Sequence, residues 1–189
     1  MSIMVKKYVA AITSLNGDKI GTHPTGEATF TVDDETLMVE ITMDHTSPNT
    51  QHWMHFHGFP DGKDAQPATI AQDTNGDGYV DLAETEPVSG TTMVPFNDKP
   101  EKMDIPTDTY PTSDANGHFH YKKEVPLAEI SHKFKEVFND DDLHLEKRVI
   151  YIHGVPESME LPDTIQGAVG KYDQHTTLPI AVGKIKSAD

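Results

Sequence analysis

Two histidines separated by a single residue, His55 and His57, have the spacing in this chain that points most directly to chemistry. A β-strand places side chains i and i+2 on the same face, so the two imidazoles would lie side by side if this segment is a strand. Imidazole is a ligand for copper, zinc, iron and nickel. The pair therefore predicts part of a transition-metal site, which needs at least one further ligand.

The best candidate for the third ligand is His153. It closes the apolar segment 148–153, in which Val149, Tyr151 and His153 alternate onto one face of a predicted strand. A strand of this kind could bring its last side chain beside the His55/His57 pair. We therefore predict a transition-metal centre made of His55, His57 and His153, with copper or zinc as the candidate ion.

Three other histidines are weaker candidates. Strand parity places His52 on the opposite face from His55 unless a bulge intervenes. His118 and His120 form a second His-x-His pair just after an Asn-Gly turn. The favoured interpretation of that pair is the solvated face of a strand, with metal ligation as the alternative.

A second signal is the segment 73–84, which matches the calcium loop of an EF-hand at every ligand position. A hard cation prefers six to eight oxygen ligands, and Gly78 permits the sharp turn that lets a short loop surround it. The alternative is an Asp/Gly-rich turn without an ion. The predicted calcium ligands are the side chains of Asp73, Asn75 and Asp77, the backbone carbonyl of Tyr79, Asp81 directly or through water, and the bidentate carboxylate of Glu84.

The surroundings of this loop do not resemble a paired calcium sensor. Pro67 precedes the loop, and Pro87 and Gly90 follow it closely, so the sequence gives little support for flanking helices. We expect an isolated loop within a β-domain, with a structural role. Such loops bind calcium at roughly 10⁻⁴–10⁻³ M, which favours an exported protein, since calcium is abundant outside cells.

Composition restricts the partners. The chain has no cysteine, which excludes disulfides and thiolate ligands, and its formal net charge is −16. This charge repels phosphate backbones, so we expect metal ions as partners and no nucleic acid.

No apolar run approaches the roughly 20 residues that span a bilayer, so no membrane insertion is expected. Residues 1–11 lack the features of a secretory signal, which leaves two alternatives: an exported mature form, or a cytoplasmic protein if Met1 is the native start.

Hydrophobic periodicity indicates a mainly β fold. Period-two alternation, with one face apolar and one polar, is typical of antiparallel sheets packed as sandwiches or barrels. Apolar positions at helical spacing after Pro126 predict one short helix. We expect a single domain over 1–189, with a long loop-rich insertion at 59–117 that contains the calcium loop. The predicted strands lie at 8–12, 28–32, 37–43, 55–58, 88–96, 118–125, 149–153 and 178–185.

Several of these segments together resemble the copper/zinc superoxide dismutase fold. The His-Phe-His of 55–57 is similar to that family's copper strand, 147–153 to its late copper-ligand strand, and 178–185 to its closing strand. The segments 25–32, 37–43 and 55–58 equally resemble CHRD domains, a chordin-type β-sandwich module. Both resemblances imply an antiparallel Greek-key sandwich or barrel.

The departures from the dismutase pattern affect the expected function. That family's bridging and zinc-binding histidines follow the His-x-His strand, whereas this chain has no histidine between His57 and His118. Its substrate-guiding arginine falls where this chain has Leu178 and Pro179. We therefore expect a metal-binding, non-catalytic or weakly catalytic relative. The alternatives are a copper-only superoxide dismutase, and a calcium-ordered extracellular interaction module whose histidines are merely exposed.

Overall fold

The structure, a computed structural model, describes residues 5–188 and is mainly antiparallel β, as the alternation predicted. Met1, on which the interpretation of the N-terminus depends, lies outside the described residues. The strands are β1 (Lys6–Ser14), β2 (Thr25–Val32), β3 (Thr36–Asp44), β4 (Met54–Gly58), β5 (Thr91–Pro95), β6 (Phe119–Pro126), β7 (Val149–His153), β8 (Pro179–Lys184) and β9 (Lys186–Ser187). The α-helices are α1 (Gly17–Ile20), α2 (Leu82–Ser89), α3 (Leu127–Phe138) and α4 (Gln174–Thr177), and single 3₁₀ turns lie at Ile70–Gln72, Pro100–Lys102 and Leu145–Lys147.

The strands follow the order β5-β4-β7-β8-β1-β2-β3-β6 in one curled sheet, with β9 beside β1. Every one of these pairings is antiparallel. The neighbours β3 and β6, β4 and β7, and β1 and β8 are distant in sequence, as expected when connections cross between two halves of a Greek-key sandwich or barrel. The predicted fold class is therefore confirmed.

Side-chain alternation explains why the sheet curls around a core. On β3, Leu37, Val39, Ile41 and Met43 are all fully buried, whereas the residues between them are only partly buried. Burying one face removes apolar area from water at about 25 cal/mol per Å². The same parity places the other face of the strand toward solvent.

The predicted helix is confirmed as α3. Its buried residues Ile130 and Phe134 are four positions apart and so share one helix face. The ring of Phe134 lies 6.2 Å from that of Phe56 on β4. Because Phe56 is directed toward α3, its neighbours His55 and His57 are directed to the opposite face of the strand.

The expectation of a calcium loop without flanking helices was wrong on its C-terminal side. Helix α2 begins at Leu82, within the loop, and contains Pro87. Asp81 and Glu84 form a capping box that satisfies the free N–H groups of the first turn. Pro87 lies beyond the first turn of α2, where it has no N–H to donate to the carbonyl of Ala83.

Other elements also differ from the expectation for the 59–117 region. The strand predicted at 88–96 is the shorter β5, because α2 occupies the residues before it. The sequence predicted one short helix, but the described residues also contain the α-helices α1, α2 and α4. Among residues 5–188, no helix combines the length and apolar character needed to cross a membrane.

Strands β4 and β7 lie side by side in the interior of the sheet, and all residues of both strands are buried. Their register pairs His55 with Tyr151 and His57 with Val149. His153, at the end of β7, lies close to the beginning of β4, where its N–H donates to the carbonyl of Trp53 at 2.8 Å. The sheet therefore brings the three predicted ligands together.

Candidate metal centres

Two groups of metal-ligating side chains converge among the described residues, and they correspond to the two predicted sites. In the first group, which we call the histidine triad, one ring nitrogen from each of His55, His57 and His153 lies within 4.8 Å of the others. The ring centroids are 5.1 to 6.1 Å apart. The side chains are 1–3% exposed, so the triad lies in the interior.

Hydrogen bonds determine which ring nitrogens are free to bind a metal at His55 and His153. The Tyr110 hydroxyl donates to the carbonyl of Ile105 at 2.7 Å, so it accepts from Nε2–H of His55 at 2.9 Å. The carbonyl of Thr177 accepts from Nδ1–H of His153 at 2.8 Å. In the neutral rings this leaves lone pairs on Nδ1 of His55 and Nε2 of His153. Neither atom has a protein partner.

His57 is different because neither of its ring nitrogens has a hydrogen-bond partner, although both are buried. A buried polar atom without a partner costs about 1–3 kcal/mol. Such atoms therefore need an explanation, and four of them belong to the triad. A bound metal would satisfy one nitrogen of each ring.

Electrostatics favour the neutral, metal-binding form of these rings. Burial lowers the pKa of His55 and His57 well below 6.5, and the neighbouring histidines lower it further. Burial also lowers the pKa of His153 from 6.5 to about 4, although the Thr177 carbonyl opposes this shift. The rings are therefore neutral near neutral pH, which is the form that metal ligation requires.

We expect the metal-free protein to lose stability as the pH falls from about 6.5 to about 4. In that window the unfolded chain binds a proton at His153 that the folded chain excludes, so acid favours unfolding; the effect for this residue is about 3 kcal/mol. Urea unfolding at a series of pH values, on wild type and His153→Gln, measures the difference. A His132→Gln control at an exposed position should behave as wild type, and equal pH slopes for wild type and His153→Gln would contradict the assignment.

Aromatic side chains surround the triad. The ring centroids of Tyr151 and His57 are 4.7 Å apart. The Tyr151 hydroxyl forms a hydrogen bond with Ser89, the last residue of α2. Trp53 stacks on Tyr110 with centroids 5.3 Å apart. The sequence did not identify Tyr110 or Thr177 as functional, because neither belongs to a local motif. Only the folded chain shows that they orient His55 and His153.

The three weaker histidine candidates do not belong to the group of converging ring nitrogens, although His52 contacts the backbone of His153. His52 is buried just before β4, and its Nδ1–H donates to the carbonyl of His153 at 3.0 Å, while Nε2 lies 3.4 Å from the carbonyl of Ser47. His118 contacts Asp44 and His120 contacts Glu40, each at 2.7 Å, and all four side chains are half exposed. The structure thus places His118 and His120 on a solvated face, which was the favoured interpretation of that pair.

The second group lies in the segment 73–84, where carboxylate oxygens of Asp73, Asp77 and Glu84 are within 4.8 Å of one another. Gly76 and Gly78 have positive φ angles of 76° and 87°, which the turns of the loop require. The Asp73 carboxylate accepts hydrogen bonds from both glycine N–H groups, at 3.1 and 2.8 Å. The sequence pattern therefore folds into a loop with carboxylates directed inward.

Further hydrogen bonds close the loop. Glu84 accepts from the backbone N–H of Thr74 at 2.6 Å, so its carboxylate reaches back to the beginning of the loop. The Asn75 side-chain carbonyl accepts from the N–H of Asp77, and Asp77 accepts from that of Tyr79. Asp73, Asp77 and Glu84 thus converge in one closed segment, whereas the predicted ligand Asp81 is not among the converging carboxylates.

Asp81 connects this loop to the rest of the molecule. One carboxylate oxygen accepts from the N–H of Glu84 at 3.0 Å, and the other accepts from that of Gln166 at 2.9 Å. Burial raises the pKa of Asp81, and the nearby negative charges of Glu84 and Asp77 raise it further, against the hydrogen bonds that lower it. A cation in the loop would relieve that repulsion.

Asn16 also holds the loop in place, and the sequence did not identify it. Its side-chain carbonyl accepts from the N–H of Val80 at 2.8 Å, and its amide donates to the Val80 carbonyl at 2.9 Å. The same amide donates to the Pro179 carbonyl at 2.8 Å. One side chain thereby fixes the middle of the loop to the beginning of β8.

Comparison with known proteins gives this chain no relative: no protein-family model matches it, and no curated protein is significantly similar to it.

Proposed function

We propose that the chain is a metal-binding β-sandwich protein in which His55, His57 and His153 hold one copper or zinc ion. The observation that carries the proposal is the set of buried triad nitrogens without a hydrogen-bond partner. Nitrogen ligands without a thiolate suit copper and zinc. Hydrogen bonds donated by His55 to the Tyr110 hydroxyl and by His153 to the Thr177 carbonyl would orient these two rings, as is usual for histidine ligands of metals.

We also propose that segment 73–84 holds a calcium ion with a structural role. The converging carboxylates of Asp73, Asp77 and Glu84 support this, together with the positive φ of Gly78 at the sixth position. Calcium would cancel the repulsion among these carboxylates. An affinity of roughly 10⁻⁴–10⁻³ M would suit an exported protein.

The chemistry around the triad supports a binding or weakly catalytic role over rapid superoxide dismutation. Guiding an anion needs a positive field, and the chain has a net charge of −16. The side chains lining the cavity beside His55 and His153 include no charged residue. Arg148 is buried on the α3 side, against the rings of Phe56 and Phe134. A relationship to superoxide dismutases or CHRD domains remains part of the proposal.

The burial of the triad argues against the alternative of an interaction module whose histidines are exposed. That alternative needs the three rings at the surface, whereas they are 1–3% exposed. A protein-binding role for some other surface is compatible with the metal centre.

Metal analysis tests the proposal directly. Protein purified without a histidine tag, freed of metal and then dialysed against copper or zinc at micromolar concentration, should retain about one transition metal per chain. A separate titration in the millimolar range should show one calcium site. Protein that takes up neither copper nor zinc would overturn the proposed triad centre, whatever the calcium result.

A further inference from the structure

A cavity of about 290 Å³ lies directly beside the histidine triad. Its lining consists of Trp53, His55, Leu82, Thr92, Ile105, Pro106, His153, Val169 and Thr177. Trp53 lies just before β4, Ile105 lies between β5 and β6, and Val169 lies between β7 and α4, so segments distant in sequence form the cavity together.

The lining determines which class of molecule the cavity can hold. It contains no Asp, Glu, Lys or Arg, and its exposed surface is almost entirely apolar. In the metal-free protein, an ion entering the cavity would lose its hydration without gaining an opposite charge, which is strongly unfavourable. A neutral, largely apolar molecule would gain from the same transfer.

The volume sets the size of that molecule. An apolar cavity of about 150 Å³ is large enough to bind benzene. At about 290 Å³, the present cavity has room for a single aromatic ring with a short substituent. Tyr110 stacks on Trp53 and Tyr172 meets it edge-on, with ring centroids 5.3 and 4.7 Å away, so a ring in the cavity would pack against an aromatic cluster.

Three of the lining residues, His55, His153 and Thr177, carry buried polar atoms without a hydrogen-bond partner. Nδ1 of His55 and Nε2 of His153 have no protein partner, and the side chains are 3% and 1% exposed. Catalytic metal sites keep one coordination position for a ligand other than the protein. A molecule in the cavity would thus lie next to the proposed metal.

We propose that this cavity is a binding site for a small, neutral, single-ring aromatic molecule. The inference deepens the proposed function, because such a molecule would be the ligand or substrate of the triad metal. Its binding depends only on the shape and polarity of the cavity. The metal-free protein therefore suffices to test it.

The chain contains one tryptophan, Trp53, which lines the cavity and reports its occupancy by fluorescence. Benzyl alcohol and benzoate are matched probes, because both carry one ring and a short substituent but only benzoate is charged. We expect benzyl alcohol to change the Trp53 emission of metal-free protein saturably, and benzoate to bind at least about tenfold more weakly.

Two variants make the test specific. Val169→Phe fills the cavity from a half-buried position and should weaken benzyl alcohol binding by about tenfold or more. Val137→Phe adds the same volume at an exposed position on α3 and should bind as wild type. Circular dichroism confirms that both variants fold.

The outcomes separate this inference from the metal proposal. Metal uptake without saturable binding of benzyl alcohol would overturn the cavity assignment and leave the metal centre intact. Saturable binding by protein that takes up no metal would support the cavity and overturn the metal centre. Equal affinity for benzoate and benzyl alcohol would contradict the proposed selectivity for a neutral ligand.

Discussion

Replacing His57 with alanine should lower the affinity of the chain for copper or zinc by at least about 100-fold. His57 is the triad member with both ring nitrogens unpartnered, so its polar atoms have no competing role in the fold. Its loss leaves two imidazoles, which form only half of a tetrahedral site. Competition titration against a chelator of known affinity measures the change.

A second substitution separates metal binding from packing. His57→Phe keeps a ring against Tyr151 but removes two buried polar atoms that lack partners. Since replacing an unsatisfied polar group by an apolar one of similar shape is neutral or stabilising, the metal-free variant should unfold at the same or a higher urea concentration than wild type. It should still bind no transition metal at the triad.

His120→Ala is the matched control for both variants. His120 belongs to the other His-x-His pair, is half exposed and contacts Glu40. Its loss should leave the metal affinity unchanged. A His57→Ala protein that binds copper as tightly as wild type, or a His120→Ala protein that loses binding, would show that the triad is not the site.

Substituting Glu84 with glutamine should have the second largest effect. The change removes a charge from the carboxylate that closes the calcium loop and should lower calcium affinity by roughly 100-fold. Glu86→Gln, at an exposed position on the same helix, is the control and should bind calcium as wild type. Calorimetric titration of the two variants compares them directly.

The same substitution should also weaken copper or zinc binding, by about tenfold, because α2 connects the two sites. Leu82, in its first turn, lines the cavity beside His55 and His153, and Ser89, at its end, contacts Tyr151 against the ring of His57. A calcium ion that fixes the beginning of α2 therefore also fixes the surroundings of the triad.

A second connection runs through the segment before α4. Asp81 accepts a hydrogen bond from the N–H of Gln166, and Gly167 lies against the side chains of Leu82 and Thr177. The carbonyl of Thr177 orients His153. Loss of calcium would weaken the attachment of this segment to the loop.

Linkage provides a strict check on this coupling. Zinc must raise the affinity for calcium by the same factor by which calcium raises the affinity for zinc. The titrations use buffers depleted of calcium by resin, because a soluble chelator would also compete for the transition metal. Identical zinc affinities with and without calcium would show that the two sites are independent.

Much of the site could be predicted because its elements have local signals. The period-two pattern of β3 identifies its buried face, and the geometry of a strand places His55 and His57 on one side of β4. The calcium loop is a continuous segment, so its ligand spacing is visible in the sequence. His153 could be paired with His55 and His57 because strand alternation gave it a defined face.

The remaining features depend on contacts between distant segments. Tyr110, Thr177 and Asn16 act through hydrogen bonds to residues 55, 24 and 64 positions away, and no local pattern marks such pairs. Helix α2 was missed because Pro87 was taken to exclude a helix. Asp81 and Glu84 carried the opposite signal, since their spacing is that of a capping box as well as of calcium ligands.

The most direct test of the account is to locate copper in the loaded protein by anomalous X-ray scattering at the copper edge. The predicted result is one peak, about 2.0 Å from Nδ1 of His55, Nε2 of His153 and one ring nitrogen of His57, with Tyr110 and Thr177 still bonded to the other nitrogens of His55 and His153. A copper ion found instead at His118 and His120, or no peak at the triad, would contradict the central claim.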